Sequence, residues 1–388
     1  MASGPEPFRV RIEQAVLDDL RRRLRHTRWP GEIAGAGWAR GAPRALVESL
    51  AAYWRDTFDW RGAEERINRV AQFTHTVDGA LIHFVHERGR GPRPMPLLIG
   101  HGWPGSFLEM LDLVPWLTDP ASHGASADDA FDVVVPSMPG YGFSPAATEA
   151  GMNPIRIADL WARLMSELGY PRFGAQGGNW GATVATRLGL RHPDRLVGIH
   201  LNYIPGSYRP YLGPGSPPPT PEEEAFLASA ERWYREEGAY AHVQATKPQT
   251  LAYALQDSPV GLLAWIVEKL RGWADCGGDV ESVFPRDLIL THVTLYWVTS
   301  TIGSANQLYH EASKVPVHLR EGERVAVPCG IARFPKEEPM PPRSWVERGY
   351  DLRRWTELPR GGHFAAMEQP ELLARDAREF FRPLRTQA

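Results

Sequence analysis

Residues 174–190 read GAQGGNWGATVATRLGL, and Gly177-Gly178-Asn179-Trp180-Gly181 has the spacing glycine-x-nucleophile-x-glycine between an apolar strand and a helix. A turn of this kind holds its central residue in a strained conformation at the end of a strand, with glycines leaving room around it. The central residue should be a nucleophile. Asn179 instead carries an amide, whose oxygen is far less nucleophilic than a carboxylate. The spacing alone also fits a plain, close strand-to-helix turn, so other residues have to decide.

HGWPGS, residues 101–106, directly follows the apolar stretch PLLIG. A loop after an early strand can lend a backbone N–H to an oxyanion hole, beside that of the residue after the nucleophile. Here the donors would be Trp103 and Trp180. Alone, His101-Gly102 reads as a strand-end histidine and a turn; the order and spacing of the two motifs give them weight. A base is offered by His363 in LPRGGHFAAMEQP, after WTEL and ahead of a terminal helix, because imidazole titrates where a general base must. The other histidines read as structural. A carboxylate to orient His363 is offered by Glu337 and Glu338 in IARFPKEEP, with Asp132 and Asp257 weaker on position.

These residues need a frame that brings them together. EQAVLDDLRRRLRHTR has apolar side chains at Val16, Leu17, Leu20 and Leu24, and PRALVESLAAYWRDTF is similar, so two amphipathic helices precede the first strands. AQFTHTVDGALIHFVHE alternates around Asp78-Gly79 and predicts a hairpin. From residue 96, short apolar strands alternate with glycine-rich turns and helices, which predicts a mostly parallel α/β sheet with its site at the carboxyl ends of the strands. The rhythm breaks at YLGPGSPPPTPEEEAF, where Thr220, Pro221 and Glu223 suit N-cap, first helical position and capping-box partner. Aromatic-rich helices follow until VAVPCGIARFP restores strand character. The expected fold is an α/β-hydrolase fold: an N-terminal segment and hairpin over 1–90, a first core part over 91–205, a helical lid over 206–318 and a second core part over 319–388. The lid is read as an insertion into the sheet, not as an independent domain. EQPELLARDAREFFRPL is a packed terminal helix with Leu372, Leu373, Ala377, Phe380 and Phe381 inward.

Bulk properties exclude several classes. The net charge is -3 at 23% charged residues, which gives no basic field for nucleic acid. MASGPEPFRVRIEQAV lacks an apolar leader core and no uncharged apolar run is long enough to span a bilayer, so a cytoplasmic protein without a membrane anchor is expected. Cys276 and Cys329 read as buried or idle thiols.

The residues closely resemble the epoxide hydrolases of microsomal type, in which an N-terminal segment precedes an α/β-hydrolase core. The resemblance runs nearly end to end, through PFRVRI, LRHTRWP, HGWPGS, PSMPGYGFS, GGNWG, HLNYIP, HVQATKPQT, DSPVGLLAWIVEK, LYWVTSTIGSANQLYHE, FPKE and RGGHFAAMEQPELLA. It implies water addition to an epoxide in two steps: an elbow aspartate forms an ester with an epoxide carbon, two lid tyrosines donate to the opening oxygen, and a histidine with a carboxylate activates water to cleave the ester. By motif the nucleophile position is Asn179, the base His363, the carboxylate Glu337, and the tyrosines Tyr309 in QLYHE and Tyr240 in GAYAHVQATKP. Tyr203, Tyr253 and Tyr296 read as packing residues. Substrate-binding positions are expected at Trp103, Pro104 and Trp180. With Trp265 and Trp297 added to the wall, the substrate is expected to be a hydrophobic, even aryl-bearing, epoxide. Water is the second reactant, no metal or organic cofactor is implied, and a homodimer is compatible.

Asn179 departs from the family pattern at the reacting atom. Three explanations stand open: asparagine introduced into an otherwise ordinary enzyme to stop it; a natural departure that binds ligand or opens the ring with acid assistance alone; and self-repair, in which His363 and the oxyanion hole hydrolyse the amide to aspartate. Two other functions compete, a catalytically silent binding protein and carbon-halogen hydrolysis. The paired tyrosines argue against the latter, because a departing halide is better served by N–H donors.

Overall fold

The computed structural model describes residues 4–387. The first three residues of the stretch read as leader-free lie outside them. Nine strands are found among the described residues: β1 (Glu6–Phe8), β2 (Gln72–Val77), β3 (Ala80–Glu87), β4 (Met95–Gly100), β5 (Phe131–Pro136), β6 (Phe173–Gly177), β7 (Leu196–Leu201), β8 (Val325–Arg333) and β9 (Tyr350–Glu357). They form one sheet in the order β1-β2-β3-β5-β4-β6-β7-β8-β9. The first three pairings are antiparallel and every pairing from β5 to β9 is parallel. The β2–β3 hairpin turns at Asp78 and Gly79 with φ of 46° and 79°, the left-handed pair a two-residue hairpin requires.

Ahead of the hairpin lie α1 (Gln14–Arg25), α2 (Arg44–Asp56) and α3 (Trp60–Ile67). Leu17, Leu20 and Leu24 of α1 are buried as the spacing predicts, whereas Val16 is only half-buried. The eight-residue α3 is too short to carry a clear period, and β1 has only three residues, so neither is evident from the sequence. Between later strands come α4 (Val114–Thr118), α5 (Pro154–Glu167) and α6 (Asn179–Arg191).

Between β7 and β8 the chain forms six helices: α7 (Pro221–Glu236), α8 (Ala239–Thr246), α9 (Pro248–Asp257), α10 (Pro259–Trp273), α11 (Arg286–Thr299) and α12 (Ile302–Ser313). The capping box at the start of α7 is complete, with Thr220 Oγ1 accepting from Glu223 N–H and Glu223 accepting from Thr220 N–H. The chain closes with α13 (Arg343–Glu347), α14 (Ala365–Glu368) and α15 (Pro370–Phe381). All five apolar positions predicted to face inward in the last helix are buried.

Strand β9 is longer than WTEL. Its first half carries Asp351, Arg353 and Arg354, which hide the strand signal; as the edge of the sheet it tolerates them. Arg354 and Thr356 both reach Asp376 on α15, as does His200 on β7 at 2.9 Å. Burial works against the Asp376 charge, yet these donors outweigh it and hold the carboxyl down to about 2. A folded pKa below the unfolded value gives stability that is present above pH ~4 and is lost as pH falls toward about 2. Asp376→Asn should therefore cost about 3 kcal/mol at pH 7 and flatten the acid limb of stability, as read by urea unfolding against pH.

Candidate active site

Four strand ends supply the site. Asn179 follows β6, the Gly102–Trp103 loop follows β4, Glu337 follows β8 and His363 follows β9. All four strands run parallel, so these ends open on the same edge of the sheet and residues as far apart as 179 and 363 meet. The turn into α6 is tight because two glycines allow it: a Cβ on Gly181 would lie 2.1 Å from the Gly100 carbonyl oxygen. Asn179 has φ of 47°, the strained conformation expected of a nucleophile elbow.

The Asn179 amide is held at both ends. Its Oδ1 accepts from Trp103 N–H at 3.0 Å and from Trp180 N–H at 2.7 Å, the two donors anticipated from the motifs. Its Nδ2 lies 2.8 Å from His363 Nε2. Because Oδ1 already takes two donors, Nδ2 must be the donor to the imidazole, and Nε2 must be unprotonated to receive it. His363 Nδ1 then carries the hydrogen and gives it to Glu337, at 2.9 and 3.0 Å from the two carboxylate oxygens. Glu337 is 2% exposed. Burial disfavours a charged His363, but the Glu337 charge and hydrogen bond prevail and leave its pKa raised. This imidazole therefore has above-ordinary basicity and one fixed tautomer.

Above the amide, Tyr240 on α8 and Tyr309 on α12 line the same cavity of about 360 Å³ as Asn179 and His363. Their rings stand edge-on at 5.9 Å. Burial raises both phenols, so at neutral pH they remain protonated hydrogen-bond donors. Trp103 stacks under Tyr240 at 5.1 Å with 6° between the planes, and Trp180 meets Tyr309 edge-on at 4.8 Å. The tyrosines are thus positioned by the same two residues whose N–H groups hold Asn179.

Some expectations need correction. Asp132 is near the start of β5, bonded to Arg88, Gly89 N–H and Tyr170, and Asp257 is exposed and paired with Arg23, so neither orients His363. Glu338 lines the large cavity, while Glu337 holds the histidine. Tyr203 is not mere packing: it lines the cavity, edge-on to His363 at 5.7 Å. Tyr253 is 74% exposed and packs nothing, whereas Tyr296 is buried and donates to Gly105 O at 2.5 Å. Of the expected substrate-binding residues, Trp180 lines the cavity; Trp103 is covered by Tyr240 and Pro104 is buried behind it. Trp265 and Trp297 are not on the wall either. Trp233 and Trp273 take that place, and helical period alone could not say which face of α7 or α10 the cavity borders. Cys276 and Cys329 are free and buried. No described helix is long and apolar enough to cross a membrane.

Comparison with known proteins shows the family to which the chain belongs. Residues 5–110 match the family model described as epoxide hydrolase N terminus, and residues 95–261 match that of the alpha/beta hydrolase fold. Epoxide hydrolase 1 of Sus scrofa is 36% identical over 398 residues, covering 96% of this chain and 88% of that protein. The chain belongs to the epoxide hydrolase family. A Stigmatella aurantiaca protein that bears the epoxide hydrolase name provisionally is 45% identical over 98% of this chain and 86% of its own length. The solved epoxide hydrolase of Aspergillus niger superposes with a TM-score of 0.85 at 30% identity, covering 99% of this chain and 97% of that one. As a member of the family, this epoxide hydrolase is a hydrolase that acts on small-molecule epoxides with water as second reactant.

Proposed function

We propose that the site is built to convert a hydrophobic, aryl-bearing epoxide to a vicinal diol through an ester at position 179, and that Asn179 stops the asparagine-bearing chain at the first step. The observation that carries the reading is the dual grip on Asn179: two backbone N–H groups on its oxygen and His363 on its nitrogen. A carboxylate in that place would have one oxygen in the oxyanion hole and the other free to attack. Tyr309 and Tyr240 donate to the epoxide oxygen as it opens, and a phenol can finally protonate the alkoxide in a dry pocket. His363, oriented by Glu337, then takes a proton from the water that attacks the ester carbonyl, with Trp103 and Trp180 N–H groups stabilising the oxyanion. An aryl group suits a wall formed by Trp180, Tyr203, Trp233 and Trp273.

Isotope labelling tests the ester. In a single turnover of the Asn179→Asp variant in ¹⁸O-water, the label should enter the side-chain carboxylate at position 179 and leave the first diol unlabelled. Attack at the carbonyl carbon puts solvent oxygen on the enzyme. Label appearing directly in the diol would overturn the ester route in favour of direct ring opening by water.

A further inference from the structure

One buried carboxyl near the site has no part in the scheme above. Glu109 lies in a short 3₁₀ turn, Phe107–Met110, eight residues beyond His101, and is 7% exposed. Its Oε1 has no hydrogen-bond partner. An unsatisfied carboxyl oxygen in the interior is costly and calls for an explanation. Gly105 makes room for it, since a Cβ there would sit 1.2 Å from Glu109 Oε1.

Glu109 borders a second, small cavity of about 10 Å³ together with Gln176, Asn179, Asn202 and His363. That is about the space one water centre needs. Gln176 donates through Nε2 to Asn202 Oδ1 at 2.9 Å, and its own Oε1 is also buried without a partner. A water-sized space bordered by the polar side chains of Glu109, Gln176, Asn202 and His363 is a place for a water molecule, not a dry void.

The chemistry of the site adds a second line of argument. In the present chain Asn179 Nδ2 satisfies His363 Nε2. An ester at position 179 has no hydrogen to give, so Nε2 would need another donor, and a water in the small cavity borders both His363 and residue 179. Such a water has two hydrogens, one for Nε2 and one for a fixed acceptor on the wall.

We propose that the small cavity seats the water that cleaves the ester, and that Glu109 is the positioning residue that accepts its second hydrogen while His363 takes the first. The proposal rests on the ester reading of the site. No bond to Glu109 forms or breaks: the water oxygen bonds to the ester carbonyl carbon, its proton passes to Nε2, and the diol oxygen leaves with that proton. The titratable groups facing Glu109 are His363, Tyr141 and Tyr296. Burial raises both phenols well above their ordinary range and keeps them neutral. Burial likewise pushes the Glu109 carboxyl up to about 8 against the opposing His363 charge and the nearby backbone N–H groups of Gly102 and Ser106, so at pH 7 it is a neutral acid whose carbonyl oxygen still accepts.

The test separates the two chemical steps in the Asn179→Asp background. Rapid mixing with excess styrene oxide gives an alkylation phase, and decay of the covalent adduct, followed by intact-protein mass, gives hydrolysis. Glu109→Met, which removes the acceptor, should slow adduct decay roughly 30- to 300-fold and leave alkylation within about threefold, on the scale of losing one positioned group. Glu109→Gln keeps a carbonyl acceptor of the same shape and should restore decay to within about fivefold at pH 7. If Glu109→Met does not fold, Gly105→Ala displaces the carboxyl and should slow decay selectively too. The proposal is overturned if adduct decay is unchanged in these variants, or if alkylation falls as much as decay, which would make Glu109 only a packing residue. Absence of any adduct in the Asn179→Asp parent would instead fell the ester reading, and this proposal with it.

Discussion

Asn179→Asp is expected to raise diol formation from styrene oxide by roughly 10⁴- to 10⁶-fold, the scale of restoring a missing nucleophile to an otherwise assembled site. The surroundings favour the exchange because nothing else has to move. Asparagine and aspartate have the same shape, and the oxygen that accepts from Trp103 and Trp180 would stay where it is. What changes is the atom beside His363: a donor nitrogen becomes an anionic oxygen that can attack. Rates of the two forms measured side by side from the first seconds check this. Equal rates at once would mean that Tyr309, Tyr240 and His363 open the ring with water directly. A rate in the asparagine form that grows over hours, while the mass of the peptide carrying Asn179 shifts to that of aspartate, would mean that His363 hydrolyses the amide as it would an ester. Tight binding of epoxides without turnover in either form would leave a silent binding protein.

The second large effect concerns His363. In the Asn179→Asp background, His363→Ala should still be alkylated but should hydrolyse its adduct about 10³-fold more slowly, within the range ascribed to a positioned general base. The adduct then accumulates to one per chain and is visible by intact-protein mass. Geometry assigns the imidazole to this step: Nε2 faces residue 179 at 2.8 Å and Nδ1 is committed to Glu337. A variant that shows neither burst nor adduct would mean that His363 is needed for alkylation, and its assignment to the second step would be wrong. Glu337→Gln should weaken the same step less, because an amide can still accept from Nδ1–H but no longer supplies the charge that raises the histidine.

The candidate site was legible in the sequence because its residues sit in short, local signals. The glycines at 177 and 181 leave room for backbone to approach, and those at 102 and 105 leave room for the side chains of Asn179 and Glu109, so a missing Cβ marks each close approach in the sequence. The strand-end positions of Asn179, His363 and Glu337 follow from alternation of strands and helices, which needs no knowledge of neighbours. Thr220 and Glu223 announced their helix for the same reason. Tyr240 and Tyr309 came instead from the family resemblance, since a tyrosine in an amphipathic helix says nothing about the cavity it borders.

Only tertiary structure decided the rest. Which of two adjacent carboxylates, Glu337 or Glu338, reaches His363 depends on the path of a loop, and which tryptophans face the pocket depends on how α7, α10 and the core close on one another. Tyr203 and Glu109 joined the site through contacts over long chain distances, with no spacing to reveal them. The sequence by itself determined the fold class, the elbow and the base, because these depend on local backbone geometry and residue chemistry. Packing decided which residues wall the large cavity, which carboxylate meets His363 and which side chains border the small cavity, because each is set by which distant surfaces meet.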